Sequence, residues 1–90
     1  MYFITNKGLE YLSRMLGASY KVGSESERKQ RILSYIEFSN GATTADIIDH
    51  ISRQRKQIES GDMGWAPKGS GQDYNRTINA LERAGYIRRN

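Results

Sequence analysis

The stretch from Gln72 to Asn90, QDYNRTINALERAGYIRRN, carries a helix, its stop signal and a following strand in one uninterrupted run. On a helix turning about 100° per residue, Tyr74, Ile78 and Leu81 fall on one side. The opposite side, a wedge of roughly 60°, holds Gln72, Arg76, Asn79 and Arg83, whose side chains can donate to phosphates and base edges. Gly85 then ends the helix, because glycine alone enters the left-handed conformation past a helix C-terminus without steric cost. Tyr86-Ile87-Arg88-Arg89 follows as a short strand. One apolar face, one hydrogen-bonding face and a basic strand make the run a candidate reading head for nucleic acid. An ordinary solvated face, or a face for a protein partner, uses the same residue types, so composition alone leaves those readings open.

Outward from that run, the 90 residues, 37% of them hydrophobic, support one domain with a single small core. No window approaches the roughly 18 uninterrupted apolar residues of a membrane span, and the first residues lack the pattern of a signal peptide. The expectation is a soluble, cytoplasmic protein that makes no membrane contact. The absence of cysteine removes disulfides, thiolate zinc sites and cysteine nucleophiles from consideration. A net charge of +4, from 14 Lys and Arg against 10 Asp and Glu, favours an acidic partner. The basic residues Arg53, Arg55, Lys56, Lys68, Arg76, Arg83, Arg88 and Arg89 all lie in the second half. The attractive surface is therefore expected on the C-terminal part.

Before the run, periodicity predicts three more helices. Leu9, Leu12, Met15 and Leu16 recur at spacings of three and four within residues 6–16, with Thr5 as N-cap, Gly17 as C-cap and Gly8 as a weakening residue near the start. Ser24 and Glu27 form a capping-box pattern that opens a helix to about Ser39, with Ile32, Leu33 and Ile36 inward, Arg28, Lys29 and Arg31 outward, and Asn40-Gly41 as its stop. The charges from Glu25 to Lys29 read as solvated helix-end charges. Thr43 to Asp46 repeats the capping pattern and opens a third helix whose apolar face is Ala45, Ile47, Ile48 and Ile51 and which extends toward Ser60. Residues 60–71 contain Gly61, Gly64, Pro67, Gly69 and Gly71, a glycine-rich loop in which Trp65 is expected to fold as a lid over core edges, with an exposed partner anchor or stacking platform as the other reading. Met1 to Ile4 reads as a strand.

Catalytic chemistry finds little material. His50 is the only histidine, so neither a metal site nor a nucleophile with base and orienting acid can be assembled around it, and no cofactor is expected. Lys68 and the surrounding glycines lack the spacing of a phosphate-binding loop. The chain reads as a binding protein, not an enzyme.

Three helices followed by Leu81-Glu82-Arg83-Ala84-Gly85-Tyr86-Ile87 resemble a winged helix-turn-helix domain, in which leucine, variable residues, glycine, an aromatic and isoleucine lead from the recognition helix into the wing. The resemblance implies a mainly α fold with a small β-sheet and double-stranded DNA as partner. It places Gln72, Asn75, Arg76, Asn79 and Arg83 toward the major groove and starts the wing at Arg88 and Arg89, with Lys68, Arg88 and Arg89 on phosphates. Transcriptional regulation is the common use of such domains, and a protein-interaction module on the same scaffold is the alternative. Tyr2-Phe3-Ile4-Thr5-Asn6-Lys7-Gly8 resembles the segment that follows the wing, so strand 2–4 is expected to pair antiparallel with strand 86–89, as in a circular permutation. Residues 6–16, outside the three-helix unit, are the expected surface of a homodimer.

Overall fold

Strand β1 (Tyr2–Ile4) and strand β2 (Ile87–Arg89), from the two ends of the chain, lie side by side in an antiparallel two-stranded sheet. Tyr2 sits opposite Arg89, Phe3 opposite Arg88 and Ile4 opposite Ile87. The expected pairing is therefore present, with Tyr86 just outside it: its carbonyl accepts from the Thr5 N–H at 3.0 Å. Between the strands run four helices, α1 (Asn6–Met15), α2 (Glu25–Ser39), α3 (Thr44–Glu59) and α4 (Gly71–Arg83). This computed structural model describes residues 1–59 and 67–90. The lid role of Trp65 falls outside the described residues. On its other edge β1 meets Ala42, through Tyr2 N–H to Ala42 O at 2.7 Å and Ala42 N–H to Tyr2 O at 3.0 Å.

Each helix starts where its cap dictates. Thr5, Ser24 and Ser70 accept from the N–H three residues on, satisfying a donor that the helix itself leaves open. At α3, Thr43 Oγ1 and Asp46 exchange reciprocal bonds of 3.0 and 3.1 Å. Asn40, in the left-handed conformation at φ 54°, closes α2. α1 ends differently from expectation: Leu16, still right-handed, is the C-cap, and Gly17 contributes no left-handed turn.

α2 is the central element. Its Ile32, Leu33 and Ile36 are fully buried, and it packs against α1, α3, α4 and β1. Ile47 and Ile51 of α3, Tyr74, Ile78 and Leu81 of α4, Leu12 and Met15 of α1, and Ile87 of β2 complete one hydrophobic cluster. Four sequence expectations fail here. Leu9 and Leu16 face solvent at 40% and 63% exposure, because α1 turns Gly8, Leu12 and Met15 inward instead. Ala45 is exposed, since α3 reaches the core one residue pair later. Glu27 is not a solvated helix-end charge: it is buried at 6% exposure and paired with Arg31, which was expected to point outward, and its other oxygen accepts from Gly23 N–H at 3.4 Å. Ser24 N–H, the donor a capping box would give to Glu27, bonds Lys21 O instead.

The segment Thr5–Gly8 clasps the turn that ends α4. Thr5 Oγ1 donates to Gly85 O at 2.6 Å, and Lys7 Nζ donates to Ala84 O at 2.7 Å, satisfying a carbonyl at the negative end of α4. Lys7 also lies 5.2 Å above the Tyr86 ring, whose other contact is a parallel stack on Tyr11 with centroids 4.2 Å apart. Gly85 has φ +83°, as its role as helix stop requires. Gly8 serves close approach, not flexibility: a Cβ there would stand 2.0 Å from Tyr86 O. Gly8→Ala is therefore expected to destabilise by about 2–3 kcal/mol, whereas Gly17→Ala, which meets nothing within 4 Å, should change stability by less than about 1 kcal/mol. Denaturant melts of the two variants beside the parent check this.

Candidate nucleic-acid interface

α4 begins at Gly71, one residue before the expected start, because Ser70 and Asp73 form a reciprocal capping box. Asp73 N–H donates to Ser70 Oγ at 3.2 Å and Ser70 N–H to Asp73 Oδ2 at 2.9 Å. Those bonds to Ser70 hold the Asp73 carboxyl below its ordinary value, so it is ionised at the positive end of the helix. Sequence reading passed over this Ser-x-x-Asp pattern by assigning the whole of residues 60–71 to loop, although the spacing was there to read.

The inner side of α4 is dry. Tyr74, Ile78 and Leu81 are at most 1% exposed, and Thr77, which the apolar pattern did not mark, is also buried. Thr77 Oγ1 accepts from Arg28 Nε at 3.2 Å, and the same guanidinium donates to Gly23 O at 2.8 Å. Arg28 was expected to point outward; it ties the start of α2 to the flank of α4 instead. Burial raises the Tyr74 phenol, and Glu27 adds to the effect; its hydroxyl has no partner among the described residues.

The outer side presents Gln72, Asn75, Arg76 and Arg83 to solvent, with Asn79 half-buried among them. The side chains of Gln72, Asn75, Asn79 and Arg83 make no hydrogen bond or ion pair with any described residue. Arg76 has one, a 3.7 Å pair with Asp73, but its side chain is 77% exposed and such a pair restrains it little. Five side chains rich in donors thus share one face of a helix whose opposite face is locked in the core.

The remaining predicted contacts distribute unequally. Arg89 comes to the Glu82 flank of α4, with a guanidinium nitrogen 2.7 Å from Tyr2 Oη and 3.4 Å from Glu82. Arg88, one residue earlier, points to the other side of the sheet by the two-residue period of a strand and lies 5.5 Å over the Phe3 ring. It lines a depression with Glu37, Asn40 and Gly41, so the structure does not bring Arg88 to the face of α4. Lys68 is exposed beside Gly23, on the Thr77 and Arg28 side of α4, where Gly69 also approaches the Arg28 stem. Lys68 and Arg89 therefore flank the polar face on opposite sides.

Arg55, one of the basic residues from which the attractive surface is expected, donates to Pro67 O at 2.9 Å and Gly69 O at 2.6 Å. It anchors the approach to α4 on α3. Nothing local in the sequence marks that role, since its acceptors are backbone carbonyls 12 and 14 residues away. His50 stacks on Tyr35 at 4.2 Å, and Asp49 beside it pairs with Arg53. No group of three or more His, Cys, Asp or Glu side chains among the described residues is arranged to hold a metal ion. No helix among them is long and apolar enough to cross a membrane.

No family model, no curated protein and no solved structure matches this chain.

Two measurements follow from this geometry. Ser70→Ala should cost about 1 kcal/mol and raise amide exchange in the first turn of α4 above that of its last turn. Burial, with Arg53 and Arg31 nearby, lowers the His50 pKa from its ordinary 6.5. The folded state thus binds this proton less readily than the unfolded chain, and the stability held above pH 6.5 is lost as pH falls through the lower folded value. The carboxyls of Asp46 and Asp73 titrate below that window. His50→Gln should therefore flatten the decline in melting temperature between about pH 7 and pH 5.

Proposed function

We propose that this protein binds double-stranded DNA, with the outer face of α4 entering the major groove and with Lys68 and Arg89 on phosphates at its two sides. The observation that carries this reading is the division of α4 into two faces. One is buried to within 1% at Tyr74, Ile78 and Leu81, and the other offers Gln72, Asn75, Arg76, Asn79 and Arg83 with their donors largely unspent. Arginine suits guanine edges and asparagine or glutamine suits adenine edges, so the face has the chemistry of direct readout. A rigid helix bearing such groups incurs little ordering cost on docking.

Further support comes from the surroundings. The sheet lies beside the end of α4, as expected from the resemblance of Leu81 to Ile87 to the winged helix-turn-helix junction. The net charge of +4 favours an anionic partner. On this reading the protein regulates transcription. Arg88 is left out of the groove and keeps to the Phe3 side of the sheet.

A second reading rests on Phe38, which is 89% exposed on α2 next to the Tyr35–His50 stack. An exposed aromatic of that kind anchors protein partners. The two readings separate in one set of titrations against short duplexes. DNA binding predicts measurable affinity for random duplex at low salt that falls steeply as salt is added. Arg76→Ala should cost about 1–3 kcal/mol on a preferred site and less elsewhere, while Lys68→Ala should weaken all sequences alike and reduce the salt slope by about 1. Phe38→Ser should leave both unchanged. Undetectable binding to random duplex at low salt would remove the DNA reading and leave the protein-partner one.

A further inference from the structure

We infer that the outer face of α1 is the docking surface for a second copy of this chain, the two α1 helices lying antiparallel across a two-fold axis. The inner face of α1 is fully used: Gly8, Leu12 and Met15 are buried and Tyr11 stacks on Tyr86. The outer face is not. Leu9, Ser13 and Leu16, at spacings of four and three, form one stripe, with the two leucines 40% and 63% exposed. Leu9, Glu10, Ser13 and Arg14 together line a shallow depression along it.

The charges beside the stripe identify the occupant. Glu10 and Arg14 stand at the i, i+4 spacing of a helical ion pair, yet neither has a hydrogen-bond or ion-pair partner among the described residues. Both charges are thus available to a facing surface. An antiparallel pairing centred near Leu12 and Ser13 sets Leu9 of each copy against Leu16 of the other. The same axis sets Glu10 of each copy against Arg14 of the other, so the ion pair forms twice. A parallel pairing would carry the Glu10–Arg14 edges of the two copies to opposite sides of the dimer, where neither ion pair could form. Ser13, small and central, lets the helices approach closely. A face that carries its own complement in antiparallel register fits a copy of itself.

Two short helix faces bury less than a standard interface, so the dimer belongs to the weak, concentration-dependent class. The clasp leaves α1 rigid, since Thr5 and Lys7 fasten its start to Gly85 and Ala84. The dimer does not rest on DNA binding, and its test is made without nucleic acid.

The test is sedimentation of the full chain over about 0.01–1 mM, a range that brackets association of micromolar to millimolar strength. The expected result is a mass rising from that of the 10.3 kDa monomer toward twice that value. Leu16→Glu should abolish the rise. Glu10→Arg and Arg14→Glu should each weaken association about tenfold, and the double variant Glu10→Arg/Arg14→Glu should restore it. All three sites are exposed, so thermal melts of the variants should match the parent and exclude misfolding as a cause. A parent that stays monomeric to the top of the range overturns the proposal. So does a dimer indifferent to Leu16→Glu, or a double variant no tighter than its two singles.

Discussion

The clasp of Thr5–Gly8 on Ala84–Tyr86 is the constraint from which the rest of the architecture follows. Within four residues the N-terminal segment caps its own helix through Thr5 Oγ1, holds Gly85 O and Ala84 O, and lets Tyr86 O close against a backbone with no Cβ. Those contacts fix where α4 ends and which way the chain leaves it. With that direction set, Ile87 enters the core and β2 finds β1 in register. The joined segments are about 80 residues apart in sequence, so closing the sheet carries the loop-closure cost of nearly the whole chain.

The same constraint gives α4 its two-sided character. Its C-terminal end is held by Lys7 and Thr5, its N-terminal end by the Ser70–Asp73 box, and its flanks by Arg28 at Thr77 and Arg89 at Glu82. Arg55 fastens the residues just before it to α3. Each of these ties is made on an end or flank, and none consumes Gln72, Asn75, Asn79 or Arg83. A face assembled in this way is rigid and unspent, the two properties that readout of a regular polymer asks of a protein surface.

Much of this was legible because local chemistry is written locally. Caps at Thr5, Ser24 and Thr43, the stop at Gly85 and the apolar triad Tyr74, Ile78 and Leu81 can be read from a few neighbouring residues. The pairing of strand 2–4 with the C-terminal strand was legible from the resemblance of Thr5-Asn6-Lys7-Gly8 to a segment following a wing. What escaped depends on partners distant in sequence. Periodicity on α1 cannot tell which of Leu9, Leu12, Met15 and Leu16 turn inward, because Tyr86 and Gly8 decide that. Arg28, Arg55 and Glu27 look like surface charges until Thr77, Pro67 O and the buried side of Arg31 are in place. The parting of Arg88 from Arg89 is simple strand alternation, hidden only while the two were counted as one basic pair.

Amide-resolved NMR with a short duplex of random sequence, added at low salt, tests the central claim most directly. The account predicts perturbations concentrated at Lys68, along Gln72 to Arg83 and at Arg89, reversed by added salt, with Phe38 and Arg88 unmoved. Perturbations centred on Phe38 and Tyr35, or none at any residue of α4, would contradict it.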